Sequence, residues 1–312
     1  MFIDRLTDKI RKLQNPTVMG LDPKLEYIPF SIREKNVKLY GSGFKAAAES
    51  ILEFNKRLVD AVSDIIPAVK PQLAYYEMYG TEGIKAFEET VRYARQKGLI
   101  VIADGKRNDI GSTSEAYSRA YLGETSLEDG AAERAFDADA LTVNGYLGAD
   151  GIKPMIEDCI KYDKGIFVLV KTSNPSSVQL QDMVVDDGRK VYEVMADLVL
   201  DWGKNVIGEC GYSLVGAVVG ATWPRQLKEL RERMPHTFFL VPGYGAQGGG
   251  AEDVAGAFDR NGLGAVINAS RSLMCAYKSK KWEGKFSEDE FDLACREEAI
   301  DMRNELRKVC SL

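Results

Sequence analysis

Asp104-Gly105-Lys106-Arg107-Asn108-Asp109-Ile110 crowds two carboxylates and an ammonium into one short stretch of this 312-residue chain. The stretch follows Leu99-Ile100-Val101-Ile102-Ala103, an apolar run that reads as a fully buried parallel strand. Charges this close are costly to bury unless they neutralise one another or meet a ligand. Strand ends in parallel α/β folds are also where active sites are built, so the cluster is a candidate for catalysis. Asp, Gly and Asn at a strand exit are ordinary turn chemistry too, and the segment alone leaves both readings open.

A second candidate lies in Pro242-Gly243-Tyr244-Gly245-Ala246-Gln247-Gly248-Gly249-Gly250, ahead of a helical pattern that opens at Ala251. Glycines let backbone N–H groups close around an anion, and a following helix adds its N-terminal dipole. No Gly-Lys-Ser/Thr follows, so this is not a nucleotide P-loop. A glycine run can be no more than a flexible turn. Arg271, four residues past Ile267, adds a fork of donors suited to phosphate, and the pair reads as a phosphate site. The single histidine, His236, precedes the strand-like Phe238-Phe239-Leu240-Val241 and falls at its N-terminal, structural end. Histidine triads and His-rich zinc sites are thereby excluded, and acid–base work falls to Lys, Asp, Glu or Tyr.

Eight strand-like runs position these groups: 17–21, 68–72, 99–103, 140–143, 166–170, 215–219, 238–241 and 264–267. Helical patterns lie between them, at 46–65, 83–97, 114–136, 151–161, 190–208, 224–234 and 251–260. Eight alternating β/α units with right-handed crossovers predict an α/β fold, a single (β/α)8 TIM barrel domain over 1–312. Long loops follow strand one (23–44, able to carry a short helix) and strand five (172–189). An amphipathic C-terminal helix over 286–310 packs through Phe291, Ala294, Ala299, Met302 and Leu306. Barrel geometry then brings one rim together from Asp22, Lys70, Asp104, Lys106, Asn144, Lys171, Ser173, Pro242 and Arg271. On an extended exit, residues i and i+2 share a side, so Asp104 and Lys106 both face the pocket, with Lys70 next to them.

The composition, 45% apolar and 28% charged, is that of an ordinary globular protein. A formal charge of -6 and the lack of any Lys/Arg block argue against a nucleic-acid partner. Five scattered cysteines without C-x-x-C spacing read as reduced packing thiols of a cytoplasmic protein. No signal peptide and no membrane-spanning run is expected.

Together, Asp-x-Lys-x-x-Asp at Asp104, Lys106 and Asp109, Lys70 on strand two, Thr113, and Thr142-Val143-Asn144 resemble the orotidine 5′-phosphate decarboxylases. Thr172-Ser173-Asn174-Pro175, the 242–249 loop and Ser270-Arg271-Ser272 extend the match over nearly the whole chain. The long loops and the Lys-Arg after Asp104-Gly105 look like the larger-chain (type 2) branch. Departures are the extended strand-five loop, and Ser270 where a Gly is more usual. The resemblance implies decarboxylation of orotidine 5′-phosphate to UMP and CO2 without cofactor or metal. It implies a homodimer in which Asp109 and Thr113 reach the partner's site. Lys106 is then the proton donor to C6, Asp104 and Asp109 flank the substrate carboxylate, and Lys70 completes the charge network. Asp22 and Lys70 hold ribose hydroxyls, Ser173 and Gln247 the base and loop, and Gln247 with Arg271 the phosphate; Thr113, Asn144, Pro242, Gly248 and Gly249 are further substrate-binding candidates. Two alternatives stand beside it: a Mg2+-dependent phosphosugar decarboxylase or aldolase of the same barrel group, and a noncatalytic nucleotide-phosphate-binding barrel. Lys70 stands where the first of these needs an acidic metal ligand.

Overall fold

Each of the eight apolar runs forms a strand in the computed structural model, which describes residues 1–245 and 250–310. The strands are β1 (Thr17–Leu21), β2 (Ala68–Pro71), β3 (Ile100–Arg107), β4 (Ala140–Val143), β5 (Gly165–Lys171), β6 (Ser213–Val219), β7 (Thr237–Val241) and β8 (Ala265–Ala269). All pair in parallel with their sequence neighbours, and Thr17 of β1 opposite Ile267 of β8 closes the barrel. The helices are α1 (Phe2–Leu13), α2 (Phe30–Tyr40), α3 (Phe44–Val62), α4 (Ala74–Glu77), α5 (Gly80–Gln96) and α6 (Gly111–Tyr121). They continue as α7 (Ala149–Tyr162), α8 (Val191–Gly203), α9 (Pro224–Arg233), α10 (Ala251–Val254), α11 (Arg271–Met274) and α12 (Phe291–Leu306). No helix among the described residues is long and apolar enough to cross a membrane.

The strand alternation sorts side chains into two apolar cores. Met19, Leu21, Val69, Val101, Leu141 and Val168 pack outward against the helices. Val18, Ala68, Ile102, Ala140, Phe167, Phe238 and Val266 fill the barrel. That inner core is completed by α1, a helix absent from the sequence-based expectation. Its Phe2, Ile3, Leu6 and Ile10 join the inner cluster, and the Phe2 ring meets Phe167 edge-on at 6.5 Å. Polar residues seat the helix at the end where the strands begin. Arg5 bridges Asp139 (3.2 Å) and Asp163 (2.9 Å), and Asp4 accepts from the Cys210 N–H at 2.8 Å. His236 lies at this same end, exposed, with Nδ1 3.0 Å from the Gly211 carbonyl.

Several boundaries differ from the expectation. The helix expected over 114–136 stops at Tyr121, and a small antiparallel ladder pairs Thr125–Ser126 with Ala132–Glu133. Asp129-Gly130 turns that ladder: the Asp129 carboxylate accepts from the Ala131 N–H, and Gly130 adopts φ 82°. The helix expected over 251–260 is reduced to α10 and a 3-10 turn at Ala255–Ala257. The strand-one loop carries both a 3-10 turn (Leu25–Tyr27) and α2. In α12, Phe291, Ala294, Ala299, Met302 and Leu306 are all buried, as the amphipathic pattern requires.

Because Leu6 is fully buried in the inner core, Leu6→Ala is expected to cost about 2–5 kcal/mol, read from the chemical-denaturation midpoint. The exposed substitution Lys12→Ala in the same helix is expected to stay within about 0.5 kcal/mol.

Candidate active site

At the carboxyl ends of the strands the inward positions open into a cavity of about 560 Å³. Its floor is polar on one side and apolar on the other. Lys70, Asp104, Thr142 and Asn268 contribute from β2, β3, β4 and β8, and Leu169, Val218 and Leu240 from β5, β6 and β7. On β1, between β8 and β2, Gly20 lies against Ser270 of the cavity wall. A Cβ there would stand 2.0 Å from the Ser270 hydroxyl oxygen, so only glycine admits that close approach.

Asp104 is the centre of the charged side. It is 6% exposed, and each carboxylate oxygen accepts two hydrogen bonds. Oδ1 accepts from Lys106 Nζ at 2.6 Å and Thr142 Oγ1 at 2.8 Å. Oδ2 accepts from Lys70 Nζ at 2.6 Å and Gln72 Nε2 at 2.9 Å. Burial disfavours the charged carboxylate, but the Lys70 and Lys106 ammonium groups outweigh it and hold the Asp104 carboxyl well below the usual range. Burial likewise works against the Lys70 charge, and Asp104 with Asp22 more than reverses it, so Lys70 titrates above its ordinary value. Lys70 is buried, whereas the Lys106 side chain keeps 46% of its surface open to the cavity.

Lys106 and Asp104 converge by a different route from the extended exit read in the sequence. The β3–β4 ladder passes from Ala103 opposite Leu141 to Arg107 opposite Val143, so β3 bulges by two residues. Within the bulge Lys106 adopts φ 48°, left-handed for a non-glycine residue and costing roughly 1–3 kcal/mol. Arg107 braces the bulge from behind: it donates to the Gly105 carbonyl at 2.9 Å, pairs with Glu77 and faces the rings of Tyr117 and Tyr121.

Asp22, Ser173, Pro242 and Arg271 also line the cavity. Asp22 Oδ1 is buried without a hydrogen-bond partner among the described residues. Arg271 opens α11, and its guanidinium is exposed with no ion-pair partner among the described residues. Gln247, Gly248 and Gly249 lie outside the described residues; Gly243 and Gly245 before them take φ 100° and 76°.

Other candidates do not reach the cavity within one chain. Asp109 is half-buried and accepts from its neighbour's N–H at Ile110 (2.8 Å), and Thr113 is exposed near the start of α6. Asn144 faces away and caps the next turn, accepting from the Tyr146 N–H at 3.0 Å; the inward residue of β4 is Thr142. Lys171, expected on the rim, does not line the cavity. A register shift between Leu169 and Lys171 turns it out of the barrel, where it is fully buried against Asp182, Ser177 and the Trp223 ring. It anchors the strand-five loop, which Gln181 ties further by bonds of 2.8 and 2.9 Å to Thr172. Gln72, Thr142 and Asn268 were not among the expected site residues. The available signal was inward parity, shared by Gln72 with Ala68 and Lys70, by Thr142 with Ala140, and by Asn268 with Val266.

Asp104→Asn removes the counter-charge and leaves burial to dominate at Lys70. The variant is expected to lose about 3 kcal/mol at pH 7, as broken buried pairs do. In wild type the Asp104 contribution is present above the unfolded carboxyl value and lost as pH falls through the lowered one. The Lys70 contribution is present below the unfolded lysine value and lost as pH rises through the raised one. In Asp104→Asn the Lys70 value drops below the unfolded one, so the deficit in urea midpoint should shrink between about pH 7 and pH 10.

Comparison with known proteins gives a consistent picture. The family model described as orotidine 5′-phosphate decarboxylase / HUMPS family matches residues 29–282. An orotidine 5′-phosphate decarboxylase of Caldicellulosiruptor bescii is 46% identical over 278 residues, 89% of this chain and 90% of that protein. One from Rhodopirellula baltica is 44% identical over 306 residues, 98% of this chain and 99% of that protein. Among solved structures, Leishmania donovani OMP decarboxylase superposes with a TM-score of 0.72 at 28% identity, covering 99% of this chain and 98% of that one. The chain belongs to the orotidine 5′-phosphate decarboxylase / HUMPS family, and its length matches the long-chain members.

Proposed function

We propose that Lys106, held by Asp104 and backed by Lys70, performs the chemistry of the family at this rim. The reaction is the decarboxylation of orotidine 5′-phosphate to UMP and CO2, the closing step of UMP synthesis. The observation that carries the residue assignment is the Lys70–Asp104–Lys106 array, with both Nζ···O distances at 2.6 Å on the cavity floor. An array that leaves one ammonium half open suits a reaction in which negative charge develops beside it.

When the bond from C6 to the carboxylate breaks, CO2 departs and the electron pair stays on C6. Orotate has no β-keto group to take up that pair, so fixed charge must stabilise it, and Lys106 is the open cation. Its ammonium lends positive charge until it passes its proton to C6, yielding UMP. Asp104 repels the substrate carboxylate by about 4 kcal/mol at roughly 4 Å and an effective dielectric of about 20. Rate enhancements of enzymes correspond to roughly 8–23 kcal/mol, so repulsion supplies a minor share and stabilisation of the carbanion by Lys106 the larger one. Arg271, with Gln247, Gly248 and Gly249, grips the phosphate; Asp22 and Lys70 hold the ribose; Ser173 and Pro242 border the base. Binding energy from the remote phosphate then drives closure of the site.

Asp109 and Thr113 act from a second subunit in this reading, as parts of a homodimer. Support comes from where their segment sits. A Cβ on Gly151, near the start of α7, would stand 2.1 Å from Asn108 Oδ1 and 2.6 Å from the Asp109 carbonyl. The Asp109 loop therefore lies on the start of α7, and Ile110, Tyr146 and Leu147 beside it expose large apolar surfaces.

Loss of orotate absorbance on mixing the protein with orotidine 5′-phosphate tests the activity directly. Lys106→Ala is expected to abolish turnover while UMP binding persists; near-normal decarboxylation would remove Lys106 from its role. Arg271→Ala is expected to weaken UMP far more than uridine in calorimetric titration, and equal losses would contradict the phosphate assignment. Mixing inactive Lys106→Ala with inactive Asp109→Ala is expected to restore about a quarter of wild-type activity through mixed dimers. A mixture that stays dead means each site uses its own Asp109.

A further inference from the structure

We propose that Thr142 is a positioning residue whose single hydroxyl sets both the backbone of Lys106 and one oxygen of Asp104. The proposal rests on the reading of Lys106 as the proton donor. Thr142 is buried on β4, beside β3, and borders the cavity. Its Oγ1 donates to Asp104 Oδ1 at 2.8 Å and accepts from the Lys106 N–H at 3.0 Å. A hydroxyl carries one hydrogen and two lone pairs, so both bonds are satisfied at once. The bulge makes this atom necessary. Between Ala103 and Arg107 the regular pairing with β4 is interrupted, and the Lys106 N–H turns to a side chain of the same strand. The left-handed backbone of Lys106, at φ 48°, aims its side chain back so that Nζ reaches Asp104 Oδ1 at 2.6 Å. One oxygen atom therefore fixes where the ammonium starts and where its counter-charge points. Valine has the same shape without that atom, and serine keeps the atom while losing a methyl.

The test compares Thr142→Val and Thr142→Ser with wild type for kcat, KM, UMP affinity and thermal midpoint. T142V is expected to lower kcat by about 10–100-fold, since misplacing a catalytic group by about 1 Å costs about 100-fold. KM and UMP affinity should stay within about two-fold, and T142S should recover most of the lost kcat. Equal losses in both variants, a loss confined to KM, or wild-type kcat in T142V would each overturn the proposal. A crystal structure of T142V gives a readout that needs no substrate: Lys106 should leave φ 48° and Nζ should part from its 2.6 Å contact with Asp104. Unchanged geometry there refutes the positioning role. If T142V does not fold, Thr142→Ala takes its place in the same comparison. A wild-type chain unable to consume orotidine 5′-phosphate sinks the functional reading instead, and the crystallographic arm still decides on Thr142.

Discussion

A carboxylate that accepts from two ammonium groups at once underlies the chemistry of this rim. Without Asp104, Lys70 and Lys106 would place two like charges side by side where burial already penalises the Lys70 charge. With it, the carboxylate stays ionised and its four acceptor directions are all occupied. The array is rigid on the side of the buried Lys70 and open on the side of Lys106. That asymmetry separates structural charge from working charge. Dipoles and ions fixed before the reaction need no rearrangement during it, which is where electrostatic catalysis gains most.

Regular strands could not have built this arrangement. An undisturbed strand offers every second residue to the barrel interior, in one direction and at one spacing. Two irregularities break that rule with opposite results. The bulge in β3 lifts Lys106 over the cavity, and the shift in β5 takes Lys171 out of it. A third lysine on the floor would have competed with Lys70 and Lys106 for the same carboxylate. Instead the Lys171 cation lies between Asp182 and the Trp223 ring, where it holds the strand-five loop to the barrel wall. The apolar half of the floor, Leu169, Val218 and Leu240, carries no charge of its own.

The eight strands were legible because buried parallel strands are near-continuous runs of Val, Ile, Leu and Ala, and eight βα units leave few other ways to close. The charged cluster was legible for the same reason: it sits where such a run ends. Reading stopped where local backbone geometry overrides period two. Lys171 was read as rim-facing because nothing in Val170-Lys171-Thr172 announces a register shift. Parity with Ala140 does not separate Asn144 from Thr142; Asn144 leaves the cavity because it caps the 3-10 turn that begins at Gly145, which period two does not announce. The ladder at 125–133 was hidden inside a helical composition, with Gly123 and Asp129-Gly130 as the overlooked breaks. α1 went unread although Ile3, Leu6, Ile10 and Leu13 recur at helical spacing.

Closure of β1 on β8 has a consequence for how the chain is made. Thr17 leaves the ribosome about 250 residues ahead of its partner Ile267, so the first strand must wait through the synthesis of all the other strands for its neighbour. During that wait the greasy face of α1 has no finished cylinder to stopper. Contacts of such long sequence separation are slow to form, because chain entropy is given up before they repay it. The nascent chain is thus most vulnerable to clumping just before β8 emerges, when most of the wall exists and its last stave is still missing.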